Sequence, residues 1–328
     1  MRNTFLKALT PFLERRGISQ IPDRIEPIPH ERFFHFIEDS VLKHLLDNHY
    51  LQSVGVGEDD SESLLSTINT IFKKWIERQA PRNTLSLNYH NLLAVSSNAA
   101  IIFLNDEVLK CPLDEFLGIM MASEVVNHRT VYAIWEEWNA SAQVPERLRG
   151  KLGIPCPHLQ EQGGFYMEYV GRSLDMLILQ QILTSFYPQI DQLLHAFKLP
   201  QNSLDSLNPS QLLLIGNATL EYNFPVLTEN RLARGEWLSL MISCATPCVT
   251  REHYDALNAF LDYAWENGFM YRDKIVDNLT LHKGKLYLID FGVADTFDPQ
   301  RPPNPASYQK HREEKINAQL LPFIIPSA

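Results

Sequence analysis

Hydrophobic positions divide the chain into three blocks. In residues 1–87 Phe34, Ile37, Val41 and Leu45 recur at steps of three and four, as do Leu64, Leu65, Ile68, Ile71, Phe72, Trp75 and Ile76 behind the acidic start DDSES. This spacing predicts a helical N-terminal extension. The intervening SVGVGEDD reads as a turn between helices, and Gly55 and Gly57 take no role. From residue 88 the pattern changes to short apolar runs, NLLAVSS, AAIIFLND and EVLKCP, parted by Ser, Asn and Asp, which predict an antiparallel meander. After Pro112 a helix is expected from Leu113 to about Trp138, and then GGFYMEYVG as a further strand. From Ser173 onward LDMLILQQILTSFY, DQLLHAF and the face shared by Tyr254, Leu257, Leu261 and Trp265 predict helices, the last stopped by Gly268. Three strands, a helix, a strand and then mostly helix make the class α+β.

Length and charge narrow the function. A chain of 328 residues with 45% hydrophobic residues can bury a large core or two lobes, which excludes disorder and a disulfide-stapled miniprotein. The net charge of -10 argues against nucleic acid as a partner. Four scattered cysteines fit a reducing compartment. MRNTFLKALTPFLERRG lacks the apolar stretch of a secretory signal, and no run approaches a membrane span, so a cytoplasmic protein without a transmembrane segment is expected.

The segment MYRDKIVDNLTLHKGKLYLIDFGVAD carries the chemistry. Asn278 follows Asp273 by five residues, and Asp290, at the end of the apolar run LYLI, follows Asn278 by twelve. A carboxylate to orient a hydroxyl, an amide and a second carboxylate to hold a divalent cation are what phosphoryl transfer requires, because its transition state needs positioning and charge neutralisation.

YRDKIVDN followed by IDFG resembles the catalytic and metal loops of the protein kinase superfamily, H-R-D-x-x-x-x-N and D-F-G. The resemblance covers roughly residues 88–300 and implies a two-lobed fold. Residues 88–170 would form a small antiparallel-sheet lobe, and 171–328 a mostly helical lobe, truncated or rebuilt, with an insertion at about 176–250. It implies Asp273 as the base, Asn278 and Asp290 as ligands of Mg²⁺ or Mn²⁺, and FYMEYVG as the segment that meets adenine. There Glu168 and Val170 would offer backbone groups, Met167 would stand behind the base and Asp175 would reach the ribose. Lys110 takes the place of the phosphate-pairing lysine. Its carboxylate partner follows from helical phase, since Glu124 shares a face with Leu113, Leu117, Met120, Val131 and Trp135, whereas Glu115, Glu136 and Glu137 lie off the stripe or far along it.

The departures from that pattern are specific. SSNAA replaces the glycine-rich loop, leaving Ser96 and Ser97 to approach phosphate. Tyr271 stands where His is usual, Lys274 follows Asp273 directly, and Ile275 occupies the usual lysine position. Residues 293–328 contain no A-P-E sequence. The reading is an atypical ATP-dependent protein kinase acting on a Ser or Thr hydroxyl of a protein, similar to remote kinases among secreted bacterial effectors that work in a host cytosol. In that group an inositol polyphosphate can serve as activator, and the basic clusters Arg147, Arg149, Lys151 and Lys310, His311, Arg312, Lys315 would suit such a polyanion, although clusters of this kind are usually solvated faces. Three alternatives stay open: a small-molecule kinase of the aminoglycoside or choline type, a pseudokinase, and a kinase fold that transfers AMP. Cys244 and Cys248 lack the partners of a zinc site.

Overall fold

The computed structural model describes residues 1–33, 92–95, 99–104, 107–112, 115–159, 165–189, 207, 209–228 and 232–326. The expected helices at 34–45 and 64–76, DQLLHAF, and Ser96 and Ser97 lie outside the described residues. The class is mixed α+β. Its helices are α1 (Arg2–Glu14), α2 (Glu115–Ala140), α3 (Leu174–Phe186), α4 (Pro209–Asn223), α5 (Arg234–Ser243), α6 (Arg251–Glu266) and α7 (Pro305–His311). Its strands are β1 (Leu92–Val95), β2 (Ala99–Leu104), β3 (Glu107–Pro112), β4 (Leu152–Gly153), β5 (His158–Leu159), β6 (Phe165–Glu168), β7 (Phe269–Tyr271), β8 (Leu279–His282), β9 (Lys285–Leu288) and β10 (Ala294–Thr296). Two compact units emerge, one of Met1–Phe103 with Leu179–Leu240, the other of Leu104–Ile178 with Met241–Ala328.

In the first unit α1 buries Phe5, Leu9 and Leu13, spaced at four residues, and Phe5 meets Phe186 edge to face at 5.7 Å. Arg16 pairs with Glu236, whose carboxyl is held down to about 2, first by that guanidinium. Tyr187 Oη accepts the Ile28 N–H at 3.0 Å and shares a bond with Thr219 at 2.7 Å, so the extended stretch after α1 is tied to α4. β1 and β2 pair antiparallel.

The second unit holds every described residue to which the sequence assigns chemistry. β6 pairs antiparallel with β3 on one side and with β5 on the other. A separate sheet runs β4-β9-β8, and β7 pairs with β10. The β8–β9 turn places Lys283 and Gly284 at φ 50° and 75°, the left-handed pair that a two-residue hairpin demands. α6 starts on a capping box in which the Thr250 hydroxyl accepts the His253 N–H at 3.2 Å. Its buried face is Ala256, Leu257, Phe260, Leu261 and Ala264. Burying each of the three larger side chains contributes roughly 1.5–3 kcal/mol. The expected face is therefore turned: Tyr254 and Trp265 lie at its edge, where Trp265 stacks on Tyr308 at 4.0 Å. Gly268 ends the helix at φ 80°, and a Cβ there would collide with the Phe297 carbonyl.

Residues 305–326 pack against α6. Tyr308 donates to the Leu261 carbonyl at 3.0 Å, and the Val249 and Cys248 N–H groups both donate to the Phe323 carbonyl. Arg312, counted at the sequence level in an exposed basic cluster, is 6% exposed and bonded to Asp262 and to Asn258 Oδ1.

Candidate functional site

Lys110 lies on β3 opposite Phe165 of β6, which fixes its place in the sheet. Its ammonium reaches Glu124 Oε1 at 2.5 Å and Asp290 Oδ1 at 3.4 Å. Burial alone would lower the Lys110 pKa, but Asp290 and Glu124 together outweigh it and raise the value, so Lys110 is charged. Burial raises the Glu124 carboxyl, with Lys110 pulling it back and Asp290 adding to the rise. Helical phase thus identifies the partner that the lysine has.

α2 contributes two further contacts that the sequence reading does not contain. Asn127 donates through Nδ2 to the Phe291 and Ala294 carbonyls, both at 3.2 Å. His128 Nε2 lies 2.8 Å from the Pro155 carbonyl, which only accepts, so that nitrogen carries the proton. The His128 ring packs on Phe165 at 5.6 Å and on Phe291 at 4.8 Å, and Phe291 continues to Tyr271 at 6.1 Å. Glu124, Asn127 and His128 stand at i, i+3 and i+4 and so share one side of the helix.

The loop after β7 presents Asp273. One of its oxygens accepts the Lys274 N–H at 2.8 Å and the other accepts Asn278 Nδ2 at 3.1 Å. The same Asn278 nitrogen reaches Tyr271 Oη at 2.9 Å and the Lys274 carbonyl at 3.1 Å. Burial first, then Asp273 and Asp290, raise the Tyr271 pKa well above its ordinary value, so the phenol keeps its proton and donates to the Lys274 carbonyl at 3.1 Å. Tyr271 is thus an organising group of the loop. Ile275, 0% exposed, is core, and its N–H donates to Gln319 Oε1 at 3.4 Å.

Antiparallel pairing brings the two loops together. Tyr271 pairs with Ala294, the Arg272 N–H donates to the Val293 carbonyl at 3.1 Å, and the Ile289 N–H donates to the Asn278 carbonyl at 2.9 Å. Asp290 adopts φ 60°, a left-handed conformation that Asp tolerates better than most residues, and its Oδ1 accepts the Gly292 N–H at 3.2 Å. A side chain on Gly292 would lie 3.3 Å from Asp290 Oδ1 and 3.5 Å from Glu124 Oε2. Lys110, Glu124 and Asp290 form one side-chain cluster and Asp273 and Asn278 another, which Lys274 joins through its backbone, and the Ile289 N–H on the Asn278 carbonyl ties the second to the strand end that carries Asp290.

The segment expected to meet a nucleobase is less open. Met167 pairs with Val108 and Glu168 with Glu107, while β5 covers only Phe165 and Tyr166. The Val170 carbonyl accepts the Thr280 hydroxyl at 2.6 Å, which leaves its N–H as the group it offers. Asp175 is 6% exposed and accepts the Ser173 hydroxyl at 2.5 Å, so a ribose would have to compete for a buried carboxylate.

Asn278 and Asp290 offer oxygen donors only, which suits a hard cation such as Mg²⁺ or Mn²⁺. Among the described residues no group of three His, Cys, Asp or Glu is arranged to hold a metal. A cation at these two side chains would complete its shell with phosphate oxygens and water. Arg147 pairs with Asp255, Lys151 with Glu252, and Arg149 bonds to the Val144 and Ser141 carbonyls, so the first basic cluster is occupied within the chain. Burial pushes the Cys244 thiol up to about 11, consistent with an inert side chain. No helix among the described residues is long and apolar enough to cross a membrane. Compared with protein-family models, curated proteins and solved structures, the chain has no match.

Proposed function

We propose that the chain is an ATP-dependent phosphotransferase of the protein-kinase type that phosphorylates a protein hydroxyl. The observation that carries this reading is the Lys110 ammonium placed between Glu124 at 2.5 Å and Asp290 at 3.4 Å, with the bonded Asp273–Asn278 pair tied to the Asp290 loop by the Ile289 N–H on the Asn278 carbonyl. The Lys110 side chain is 8% and the Asp290 side chain 35% exposed, so polyphosphate oxygens with their divalent cation would approach the pair from the Asp290 side. In this scheme the acceptor hydroxyl attacks the γ-phosphorus, the bond to the bridging oxygen breaks, ADP leaves, and the hydroxyl proton passes to Asp273. Both Asp273 oxygens are already aimed by hydrogen bonds, which holds the carboxylate in position. Mg²⁺ or Mn²⁺ at Asn278 and Asp290 would neutralise charge on the phosphates. The Glu168 carbonyl and the Val170 N–H would meet adenine, with Met167 behind it.

Asp290→Asn is the test. Asn tolerates the same left-handed backbone, so the fold is kept while the charge is lost. Transfer of labelled γ-phosphate to a mixed protein substrate with Mg²⁺ or Mn²⁺ should fall about 100-fold or more. Equal labelling by the variant and the parent would overturn the assignment. Intact mass of the product separates a phosphoryl from an adenylyl adduct.

A further inference from the structure

Strand β8 fastens the segment after β6, which the sequence leaves 110 residues away. The Thr280 hydroxyl donates to the Val170 carbonyl at 2.6 Å, and the bond is buried, with Thr280 1% and Val170 3% exposed. Ser173 pairs with Thr280 in a single antiparallel bridge. Between these two anchors Gly171 turns at φ 89°, and a Cβ there would lie 3.2 Å from the His282 Cβ and 3.3 Å from the Leu281 carbonyl oxygen. Residues 170–173 are therefore laid directly along β8, with no space for a side chain at the turn.

The same strand is held at its other end. Leu279 pairs with Leu288 of β9, and the Ile289 N–H donates to the Asn278 carbonyl at 2.9 Å. Asn278, the residue before β8, donates to Asp273 at 3.1 Å. Thr280 thus stands two residues from the Asn278–Asp273 pair and one hydrogen bond from Val170. Val170 in turn has an unused group, because its N–H has no hydrogen-bond partner among the described residues. A backbone donor left open on a buried residue is rare and costly, so an acceptor from outside the chain would relieve it.

We propose that Thr280 is a positioning residue for the nucleotide: by holding the Val170 carbonyl it sets the Val170 N–H against the Watson–Crick ring nitrogen of adenine, at a fixed offset from Asn278 and Asp273. This inference rests on the phosphotransferase reading, in which that N–H meets the base. The test compares ATP with 1-deaza-ATP, whose C–H in place of that nitrogen cannot accept the bond. Dissociation constants of both nucleotides with Mg²⁺, and kcat for label transfer to a mixed protein substrate, are measured on the full chain and on Thr280→Val and Thr280→Ser. The parent should bind ATP about tenfold more tightly than the deaza analogue. Thr280→Val should weaken ATP about tenfold, with its affinity for the analogue and kcat at saturating ATP changed less than about twofold. Thr280→Ser keeps the hydroxyl and should match the parent. Should Thr280→Val not fold, Thr280→Ala carries the same comparison. Equal affinity of the parent for the two nucleotides, an equal loss for both in the variant, no loss for ATP, or failure of Ser to preserve the parent's affinity would each overturn the positioning role while leaving transfer intact. A parent that binds neither nucleotide and transfers no label removes the phosphotransferase reading as well.

Discussion

Arg312 and Lys110 are both buried cations of the second unit, each 6% exposed, yet their surroundings differ in charge. Arg312 faces one carboxylate, Asp262, with the Asn258 amide oxygen and carbonyl and the Tyr308 ring completing its contacts, and only its Nε lacks a bond partner among the described residues. Lys110 faces two carboxylates, Glu124 and Asp290. The first cluster balances one charge with one and holds the segment after β10 against α6. The second carries an excess of negative charge, with Asp273 beyond it. A buried cluster that serves packing alone gains nothing from such an excess, whereas one that receives a divalent cation does.

Removing either cation tests the contrast, and Lys110→Met should have the larger effect. It strands Glu124 in the interior next to Asp290, at a cost of about 3–5 kcal/mol in denaturant unfolding. Adding Glu124→Gln should recover much of that stability and none of the transfer. A single-variant loss below about 1 kcal/mol would mean that the triad is solvated after all.

His128 gives the next effect, as a pH dependence. Burial lowers its pKa from 6.5 to about 4, so the folded state favours the neutral ring. Both states are neutral above the unfolded value, and as pH falls from 6.5 towards 4 the unfolded chain takes up a proton that the folded chain refuses. About 3 kcal/mol should be lost across that window. Unfolding midpoints measured between these limits should show the slope, and His128→Leu should flatten it.

Arg312→Met should cost less, roughly 2 kcal/mol, because its carboxylate partner is largely exposed. Below the unfolding transition the variant should transfer phosphate like the parent. A loss of transfer at that temperature would dissolve the distinction between the two clusters.

What the sequence makes legible here is local. The five-residue interval from Asp273 to Asn278 already sets a side-chain bond of 3.1 Å, and the phase of α2 singles out Glu124 among its carboxylates. Contacts closed through backbone carbonyls of distant residues leave no such trace. Asn127 on Phe291 and Ala294, His128 on Pro155, and Thr280 on Val170 depend on where strands meet in space. Arg312 is the same case in reverse, because four basic residues among six look solvated until Asp262 and Asn258 on α6 are placed opposite one of them. The turned face of α6 follows from that packing, since Tyr308 occupies the side that Trp265 presents.

One side of α2 bears a mechanical consequence. Glu124, Asn127 and His128 grip, in turn, the Lys110 ammonium, the carbonyls either side of Gly292 and the Phe291 ring. A rotation of the helix by even a fraction of a turn would release all three together, and none of them can let go while the other two hold. Rod and loop therefore form a single latch, and amide exchange in Phe291–Ala294 should rise and fall in step with exchange in the middle of α2 rather than independently of it.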